Sequence, residues 1–361
     1  MDSMELVRSA TDEHVLRALM RHRRLTRAEL AIEAGISKPT AGESVRRLSL
    51  AGLLVDTGER TPGGRGRGRV GTYYALAGGV GTALAVSIAP EGVVAECVDA
   101  YGDVVARAEH EVARPARPES VATALQQAAT RATAAGAVRL AVVSAADPVD
   151  RATGRMIHLP DSPFLLGELD PLHLLAPLVT GPIVVDNDVN WAARAERDGS
   201  ADFAYLFLGE GLGCAIVSDG EVRRGANGLA GEVAHLLTTG PDGRAVRFID
   251  VFEPLGLRRH DSTAIDVDRL LAAGADVHAT LGEAVSGVLA ALLALADPEH
   301  VIIGGPWGAH PAVLDAITAA AAHEPRPVPV RAPTVLDEPS LAGARREALE
   351  LLRTTIVSGT P

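Results

Sequence analysis

Cysteine is almost absent from this chain of 361 residues, which contains only Cys97 and Cys214. The two lie far apart, each in a run typical of a β-strand, so the sequence excludes a disulfide framework and a multi-cysteine zinc site. No apolar run reaches the roughly 18 residues that a membrane span needs. The N-terminus also lacks the apolar core of a signal peptide. We therefore expect a cytoplasmic protein that does not contact a membrane.

Basic residues are scarce outside the first 80 positions. Residues 1–80 carry 13 Lys and Arg against 9 Asp and Glu, whereas the remainder carries 21 against 37, and the net charge is −12. A small basic module on an acidic body is compatible with nucleic-acid binding by the module alone. Hydrophobic residues make up 47% of the chain, which together with its length predicts two or three folded domains.

Residues 12–76 have the pattern of a winged helix-turn-helix domain. Apolar residues at helical spacing predict a first helix that ends near residue 24. Thr26 and Glu29 then form a capping-box pattern, which predicts a second helix over residues 27–33. A turn with a glycine follows, as helix-turn-helix motifs usually require.

The third helix of this domain is the candidate DNA-recognition helix. Ser37 has the character of an N-cap, and the helix is predicted from residue 38 to about residue 51. The alternative is a small protein-interaction bundle, which outward basic residues disfavour. The candidate DNA contacts, of which all but the cap are expected to face outward, are Ser37, Lys38, Thr40, Ser44 and Arg47.

Residues 60–69 form a tract of arginine and glycine between strand-like runs at residues 52–55 and 72–76. Glycines would let the arginines reach phosphates or the minor groove, and such contacts add salt-dependent affinity. A disordered linker is the alternative, but the flanking strands favour a wing. The candidate wing contacts are Arg65, Arg67 and Arg69.

Strands and helices alternate after a glycine linker at residues 77–81, which predicts an α/β architecture. Residues 84–109 and 205–224 each resemble three strands joined by tight turns, a weak internal repeat. Two such units facing each other across a cleft are the arrangement of actin-like ATPases. The predicted domains are a DNA-binding domain (1–78), a first lobe (82–196 with the C-terminal helix at about 343–356) and a second lobe (197–342).

Polar side chains follow the predicted parallel strand at residues 183–186. Asp186, Asn187, Asp188 and Asn190 stand at its carboxyl end, where open α/β sheets bind ligands. A helix cap would explain one such residue, but hardly four of five positions. We therefore expect a ligand site here.

A second candidate site lies in the glycine-rich segment from residue 209 to residue 235. Glycines at 209–213 allow close approach of the backbone to a ligand and leave N–H groups for an anion. Glu232 and His235 add a carboxylate and an imidazole. Each alone has an ordinary structural explanation, such as a salt-bridged carboxylate or a core histidine.

These motifs together resemble the ROK family (repressors, open reading frames, kinases). The resemblance rests on residues 225–235, supported by 187–190, 297–305 and the basic wing. It implies a winged helix-turn-helix joined to a sugar-kinase-like body. By resemblance, Asp188 would be the catalytic base of a kinase, and the residues that contact sugar hydroxyls would be Asn187, Asp188, Glu232 and His235, with Asp250 in place of a further sugar-binding Glu.

The sequence departs from the family's pattern at its zinc motif and at its first phosphate loop. Residues 239–250 contain no cysteine where the family usually has a zinc motif, so we expect no metal. The first phosphate loop is replaced by a turn with Pro90 and Glu91, which supply neither an N–H group nor positive charge for phosphate. Glu210 stands in the second glycine loop, where the kinases usually carry Thr. We therefore expect neither bound ATP nor kinase activity.

The sequence thus predicts a DNA-binding transcriptional regulator, a repressor, that senses a sugar or sugar derivative between its lobes. Operator DNA and a small sugar would be its partners, and a homodimer or dimer of dimers is expected because helix-turn-helix proteins read two-fold half-sites. One alternative is an ATP-dependent sugar kinase with an appended DNA-binding domain. Another is a regulator whose degenerate cleft responds to a protein partner.

Overall fold

The computed structural model describes residues 3–61, 70–114, 116–134, 136–159, 162–196 and 199–359, with side chains from residue 10 onward. The candidate wing contacts Arg65, Arg67 and Arg69 lie outside these described residues. Within them, the chain forms an N-terminal helical domain with a small sheet, followed by two lobes that are each built on a five-stranded sheet.

The N-terminal domain is a winged helix-turn-helix, as predicted. The predicted capping box is present, since the Thr26 hydroxyl accepts from the Glu29 N–H and the Glu29 carboxylate accepts from the Thr26 N–H. A short strand that the sequence did not reveal pairs with the last strand and gives the sheet order β1-β3-β2. Its elements are α1 (Ser3–His22), β1 (Arg24–Thr26), α2 (Arg27–Glu33), α3 (Lys38–Leu50), β2 (Leu54–Arg60) and β3 (Thr72–Leu76).

The first lobe is a mixed sheet flanked by helices. Three antiparallel strands are extended by two parallel ones, in the order β6-β5-β4-β7-β8. The central strands are buried on both faces, which explains their continuous apolar runs. The elements are β4 (Thr82–Ala89), β5 (Gly92–Val98), β6 (Val104–His110), α4 (Pro118–Ala132), β7 (Val138–Ala145), α5 (Pro171–Leu175), β8 (Ile183–Asn187) and α6 (Asp188–Ala195).

The second lobe repeats this topology, which confirms the internal repeat. Its sheet order is β11-β10-β9-β14-β15, again with three antiparallel strands followed by two parallel ones. The helix α9 was not predicted. The elements are β9 (Phe203–Leu208), β10 (Leu212–Ser218), β11 (Glu221–Val222), β12 (Leu237–Thr239), β13 (Ala245–Arg247), α7 (Val267–Leu271), α8 (Ala275–Ala296), β14 (Val301–Gly304), α9 (Pro311–Ala321) and β15 (Val330–Arg331).

The helix α8 is long and apolar enough to cross a membrane, by length and composition. It packs against α9 and β12, and Leu281, Val285 and Leu289 are buried in the core of the second lobe. These contacts are those of a core helix.

The C-terminal helix α10 (Pro339–Ser358) packs on the first lobe, against α6, β4 and β7. Arg345 on this helix donates to the buried carboxylate of Glu96 on β5 at 2.8 Å. The same helix contacts α1 of the DNA-binding domain. One hydrophobic cluster therefore includes Val15 and Leu19 of α1 together with Leu341 and Ile356 of α10.

Candidate functional site

A cleft of about 700 Å³ lies between the two lobes. Its walls come from the β4–β5 turn and the start of α6 in the first lobe, and from the β9–β10 turn and residues 228–235 in the second. The polar ends of the strands therefore converge from both repeats, as expected for an α/β ligand site.

The polar cluster at the end of β8 divides into structural and cleft-facing members. The Asp186 carboxylate accepts from the Asn190 amide at 2.9 Å and pairs with Arg224 at 2.7 Å. Asn187 is the N-cap of α6, and its side-chain oxygen accepts from the Val189 N–H. Asn187, Asp188 and Asn190 line the cleft, whereas Asp186 does not. Only part of the cluster therefore faces a ligand.

Glu232 and His235 line the cleft from the second lobe. Their segment is held by Gly231, whose carbonyl accepts from the Cys214 N–H of β10 at 2.9 Å. Gly231 has φ +96°, and an added Cβ would overlap the Cys214 carbonyl oxygen. Glycine is thus required at this position so that the loop backbone can pack closely against β10 and direct Glu232 into the cleft.

The cleft carboxyls are strongly perturbed by their surroundings. Burial raises the pKa of Asp188 to about 7, and the nearby carboxylates of Asp147 and Glu232 add to the effect. Desolvation in the cleft likewise raises the pKa of Glu232 to about 7, with a further contribution from Asp147, although the residue keeps a solvent-exposed surface. At neutral pH these groups exist in both protonation states, so they can accept or donate hydrogen bonds to hydroxyl groups.

Asp147 is a cleft residue that the sequence reasoning missed. Burial raises its pKa to about 6, although hydrogen bonds from the Ser162 hydroxyl and the Leu165 N–H oppose the rise. It follows the buried parallel strand β7, so the rule that identified the end of β8 also applies at this strand end.

Asp250 lies next to the cleft, but it is not among the residues that line it. Its carboxylate is held by Arg247 at 2.7 Å and Arg258 at 3.3 Å. The sequence could not reveal these two arginine partners, and the predicted contact between Asp250 and a sugar stays a prediction.

The region that corresponds to the family's zinc motif folds without metal ligands. Residues 237–247 form the hairpin β12–β13, and the Thr238 hydroxyl donates to the Ala284 carbonyl of α8 at 2.5 Å. Among the described residues, no group of three His, Cys, Asp or Glu side chains could hold a metal ion. The residues present therefore do not fit the zinc that the family resemblance implies.

The two glycine turns that would hold phosphates in a kinase face each other in the cleft. In the first, Pro90 and Glu91 line the cleft. In the second, the Glu210 carboxylate accepts from Arg114 at 2.6 Å and from Arg259 at 2.8 Å. A carboxylate and its two arginine partners thus lie where the second turn would otherwise offer its N–H groups to an anion.

The contact face predicted for the third helix of the DNA-binding domain is only partly exposed in the structure. Lys38 and Thr40 are exposed, and Ser37 caps the helix by accepting from the Thr40 N–H at 3.2 Å. Ser44 is fully buried, contrary to the prediction, and donates to Asp12 of α1 at 2.5 Å. It shares the core-facing stripe of Ala41, Val45 and Leu48 because these positions recur at helical spacing.

Arg47 is also engaged within the domain. Its guanidinium binds both carboxylate oxygens of Asp12, at 2.7 and 3.1 Å, and about 31% of its side chain is exposed. This hydrogen-bonded pair raises the pKa of Arg47. The prediction that Arg47 is free to face outward is therefore wrong, since Asp12 fixes the guanidinium.

Family models match two parts of the chain. One for the ROK family matches residues 84–247, and one for winged helix-turn-helix DNA-binding domains matches residues 8–55. The bifunctional enzyme NanE/NanK of Brucella melitensis is 34% identical over 157 residues, a match that covers 38% of this chain and 29% of that enzyme. The chain thus spans less than a third of this relative's length.

Solved structures share the fold of this chain, one over nearly its whole length and one over three quarters of it. A ROK family transcriptional regulator, a homologue of the E. coli Mlc protein, aligns with a TM-score of 0.64 and 17% identity over 98% of this chain and 99% of that one. A ROK family glucokinase from Streptomyces griseus, solved with glucose and AMPPNP, aligns with a TM-score of 0.58 and 24% identity over 75% and 100%. The chain thus carries a ROK family domain, matched over residues 84–247, and an N-terminal winged helix-turn-helix DNA-binding domain, matched over residues 8–55.

Proposed function

We propose that this protein is a transcriptional repressor that senses a sugar or sugar derivative in its interlobe cleft and does not phosphorylate it. One observation carries the proposal: the cleft keeps the carboxyls of Asp188 and Glu232, whereas its phosphate turns carry Pro90, Glu91 and Glu210. The site therefore retains groups suited to hydroxyl recognition and has lost groups suited to phosphate.

Recognition of a hydroxyl-rich ligand follows from the chemistry of the cleft floor. Asp188 and Glu232 approach from opposite lobes, so one ligand can contact both. Because their pKa values lie near 7, each can adjust its protonation to the hydroxyl that it meets. The Streptomyces griseus glucokinase was solved with glucose, and a hexose is therefore the first ligand to test.

The residues at the phosphate turns do not fit a nucleoside triphosphate. Phosphoryl transfer depends on positioning and on neutralising the charge of the transferred group. Pro90 offers no N–H group, and Glu91 adds negative charge where positive charge is needed. The Glu210 carboxylate occupies the guanidinium groups of Arg114 and Arg259. We therefore assign no ATP and no zinc to the working protein.

A continuous element connects the cleft to the DNA-binding domain. Gly92 and His110, at one end of the β5–β6 hairpin, line the cleft. The turn at its other end carries Tyr101 and Asp103, which contact Arg23 of the DNA-binding domain. Seven residues per strand span about 20 Å. A ligand-induced change in the separation of the lobes would shift this hairpin and change the population of DNA-competent dimers.

Binding of the purified protein to DNA flanking its own gene, with and without a panel of hexoses and pentoses, tests this function. We expect salt-dependent DNA binding that one sugar changes by about fivefold or more, as typical coupling energies give. Asp188→Asn should abolish the sugar response and leave DNA binding in the absence of sugar intact. A chain that binds no duplex from this region is not the proposed repressor.

The alternative is a sugar kinase with an appended DNA-binding domain, and the likeness to the NanE/NanK enzyme favours testing it. Asp188, at the start of α6, would then act as the base that takes a proton from the sugar hydroxyl. An ADP-release assay with the same sugar panel distinguishes the two functions. Turnover that disappears in Asp188→Asn would replace our proposal with the kinase.

A further inference from the structure

Glu210 joins the two lobes across the cleft. It lies in the turn between β9 and β10, and only 14% of its side chain is exposed. One carboxylate oxygen accepts from Arg114, in the β6–α4 connection of the first lobe, at 2.6 Å. The other accepts from Arg259 of the second lobe at 2.8 Å. The carboxylate is therefore shared between guanidinium groups of different lobes.

Each end of this arrangement is fixed in its own lobe. Arg114 also donates to the Pro90 carbonyl, in the β4–β5 turn, at 3.4 Å. On the other side, the Glu210 carbonyl accepts from the Ile265 N–H at 3.0 Å, and the neighbouring Gly209 carbonyl accepts from the Trp307 indole at 2.9 Å. The pair thus connects two anchored turns, and separating the lobes requires that it break.

We propose that Arg114 and Glu210 form an electrostatic latch that holds the lobes closed at the solvent edge of the cleft, with Arg259 orienting Glu210. Both arginine side chains are 42% exposed, so water and salt can compete for the contact. Charge-assisted hydrogen bonds of this length are strong yet reversible. The latch is therefore suited to opening and closing rather than to permanent stability.

A second group of interlobe contacts lies at or beside α6 and has a different character. Val189 and Ala193 of α6 pack against Tyr205 and Ala215 of the second sheet in one hydrophobic cluster. The buried Glu196 carboxylate, just after α6, accepts hydrogen bonds from the backbone N–H groups of residues 334 and 335. These buried contacts form a hinge, and the latch, whose arginines are partly exposed, closes the lobes away from it.

The distance between the lobes can be measured with nitroxide labels at two introduced cysteines, Gln127→Cys on α4 and Ala312→Cys on α9. Both positions are exposed. The native Cys97 and Cys214 are buried, and burial raises the pKa of both thiols, so labelling favours the introduced sites. Pulsed electron resonance then gives the distance distribution of the full chain without any ligand.

Glu210→Gln is expected to lengthen or broaden this distribution by about 2 Å or more, the scale of a domain rearrangement. Arg114→Gln should reproduce the effect, whereas Arg259→Gln, which leaves the interlobe pair in place, should have a smaller one. Glu253→Gln removes an ion pair with Arg258 within the second lobe and is the matched control. High salt should open the wild type but not change Glu210→Gln further.

Unchanged distances in both Glu210→Gln and Arg114→Gln, with both variants folded by circular dichroism, would overturn the latch. An equal change in the Glu253→Gln control would also overturn it, because the effect would then not be specific to the interlobe contact. The latch requires neither DNA nor a sugar. Its failure would therefore leave the proposed repressor function untouched, and failure of that function would leave the latch untouched.

Discussion

Asp103 of the first lobe binds Arg23 of the DNA-binding domain through two parallel hydrogen bonds, of 2.5 and 2.6 Å. Arg23 holds the pKa of Asp103 below its usual range, so the contact persists at neutral pH. The Arg23 guanidinium also lies 5.5 Å from the centre of the Tyr101 ring. The β5–β6 turn therefore docks the DNA-binding domain on the body.

The hydroxyl of Tyr101 is expected to stabilise this docking. It accepts from the Leu76 N–H at 3.0 Å and donates to the Arg23 carbonyl at 3.3 Å. Tyr101→Phe leaves that N–H without a partner, which costs about 1–2 kcal/mol. Hydrogen exchange of the segment at residues 72–80 should therefore accelerate roughly 5- to 30-fold. Tyr73→Phe, which leaves the hydrogen bond at the Leu76 amide in place, should not accelerate it.

Substitutions at Ser44 and Lys38 should distinguish an effect on the stability of the N-terminal domain from an effect on DNA affinity. Ser44→Ala removes a buried hydrogen bond to Asp12 and should destabilise the N-terminal domain by about 1 kcal/mol, measured by hydrogen exchange of α3. Lys38→Ala, at an exposed position, should leave exchange unchanged and reduce the salt dependence of DNA binding by about one unit of slope. If the two variants changed the salt dependence of DNA binding equally and the hydrogen exchange of α3 equally, these separate roles for Ser44 and Lys38 would be wrong.

Gly231→Ala should destabilise the second lobe severely. The added methyl group would overlap the Cys214 carbonyl, and the loop that carries Glu232 would have to move. Gly243→Ala is a matched control, since its φ of +77° is also left-handed but nothing lies within 4 Å of the added Cβ. We expect about 1 kcal/mol of strain in the control and more than about 3 kcal/mol at Gly231. Similar melting temperatures for both variants would refute the close-approach argument.

The stability of the chain should fall as pH rises through the titration of Asp188. The unfolded carboxyl loses its proton near pH 4, whereas the folded one, with a pKa of about 7, keeps it until higher pH. Between about pH 4 and pH 7 the folded state therefore binds a proton that the unfolded state has lost. The free energy of unfolding falls as the pH rises through that window. Asp188→Asn should match the wild type at pH 4.

At pH 8 Asp188→Asn should exceed the wild type in stability by on the order of 1–2 kcal/mol. This is less than the full shift implies at about 1.4 kcal/mol per pKa unit, because cleft water screens the charge. Urea titrations at the two pH values provide the measurement. Asp150→Asn is the control, since hydrogen bonds from Thr153 lower the pKa of Asp150. A parallel pH response in both variants would be inconsistent with a raised pKa of Asp188.

Local signals made the secondary structure readable from the sequence. The capping box at Thr26 specified the start of α2, and the apolar runs before residues 144 and 186 specified the buried parallel strands. These features depend on neighbours within a few positions, so no tertiary information is needed. The short strand β1 and the helix α9 were not predicted, because neither has a strong capping residue or a distinctive spacing of apolar residues.

Partners distant in the sequence decided which polar residues reach the site. Asp250 is held by Arg258, Ser44 by Asp12, and Glu210 by Arg114, and none of these pairings leaves a local pattern. Asp147 joins the cleft only because β7 ends beside β8. The sequence by itself determined most of the elements, the repeat and the carboxylates available. The tertiary structure alone decided which of them remain open to a ligand, because burial and ion pairing depend on what the fold brings alongside.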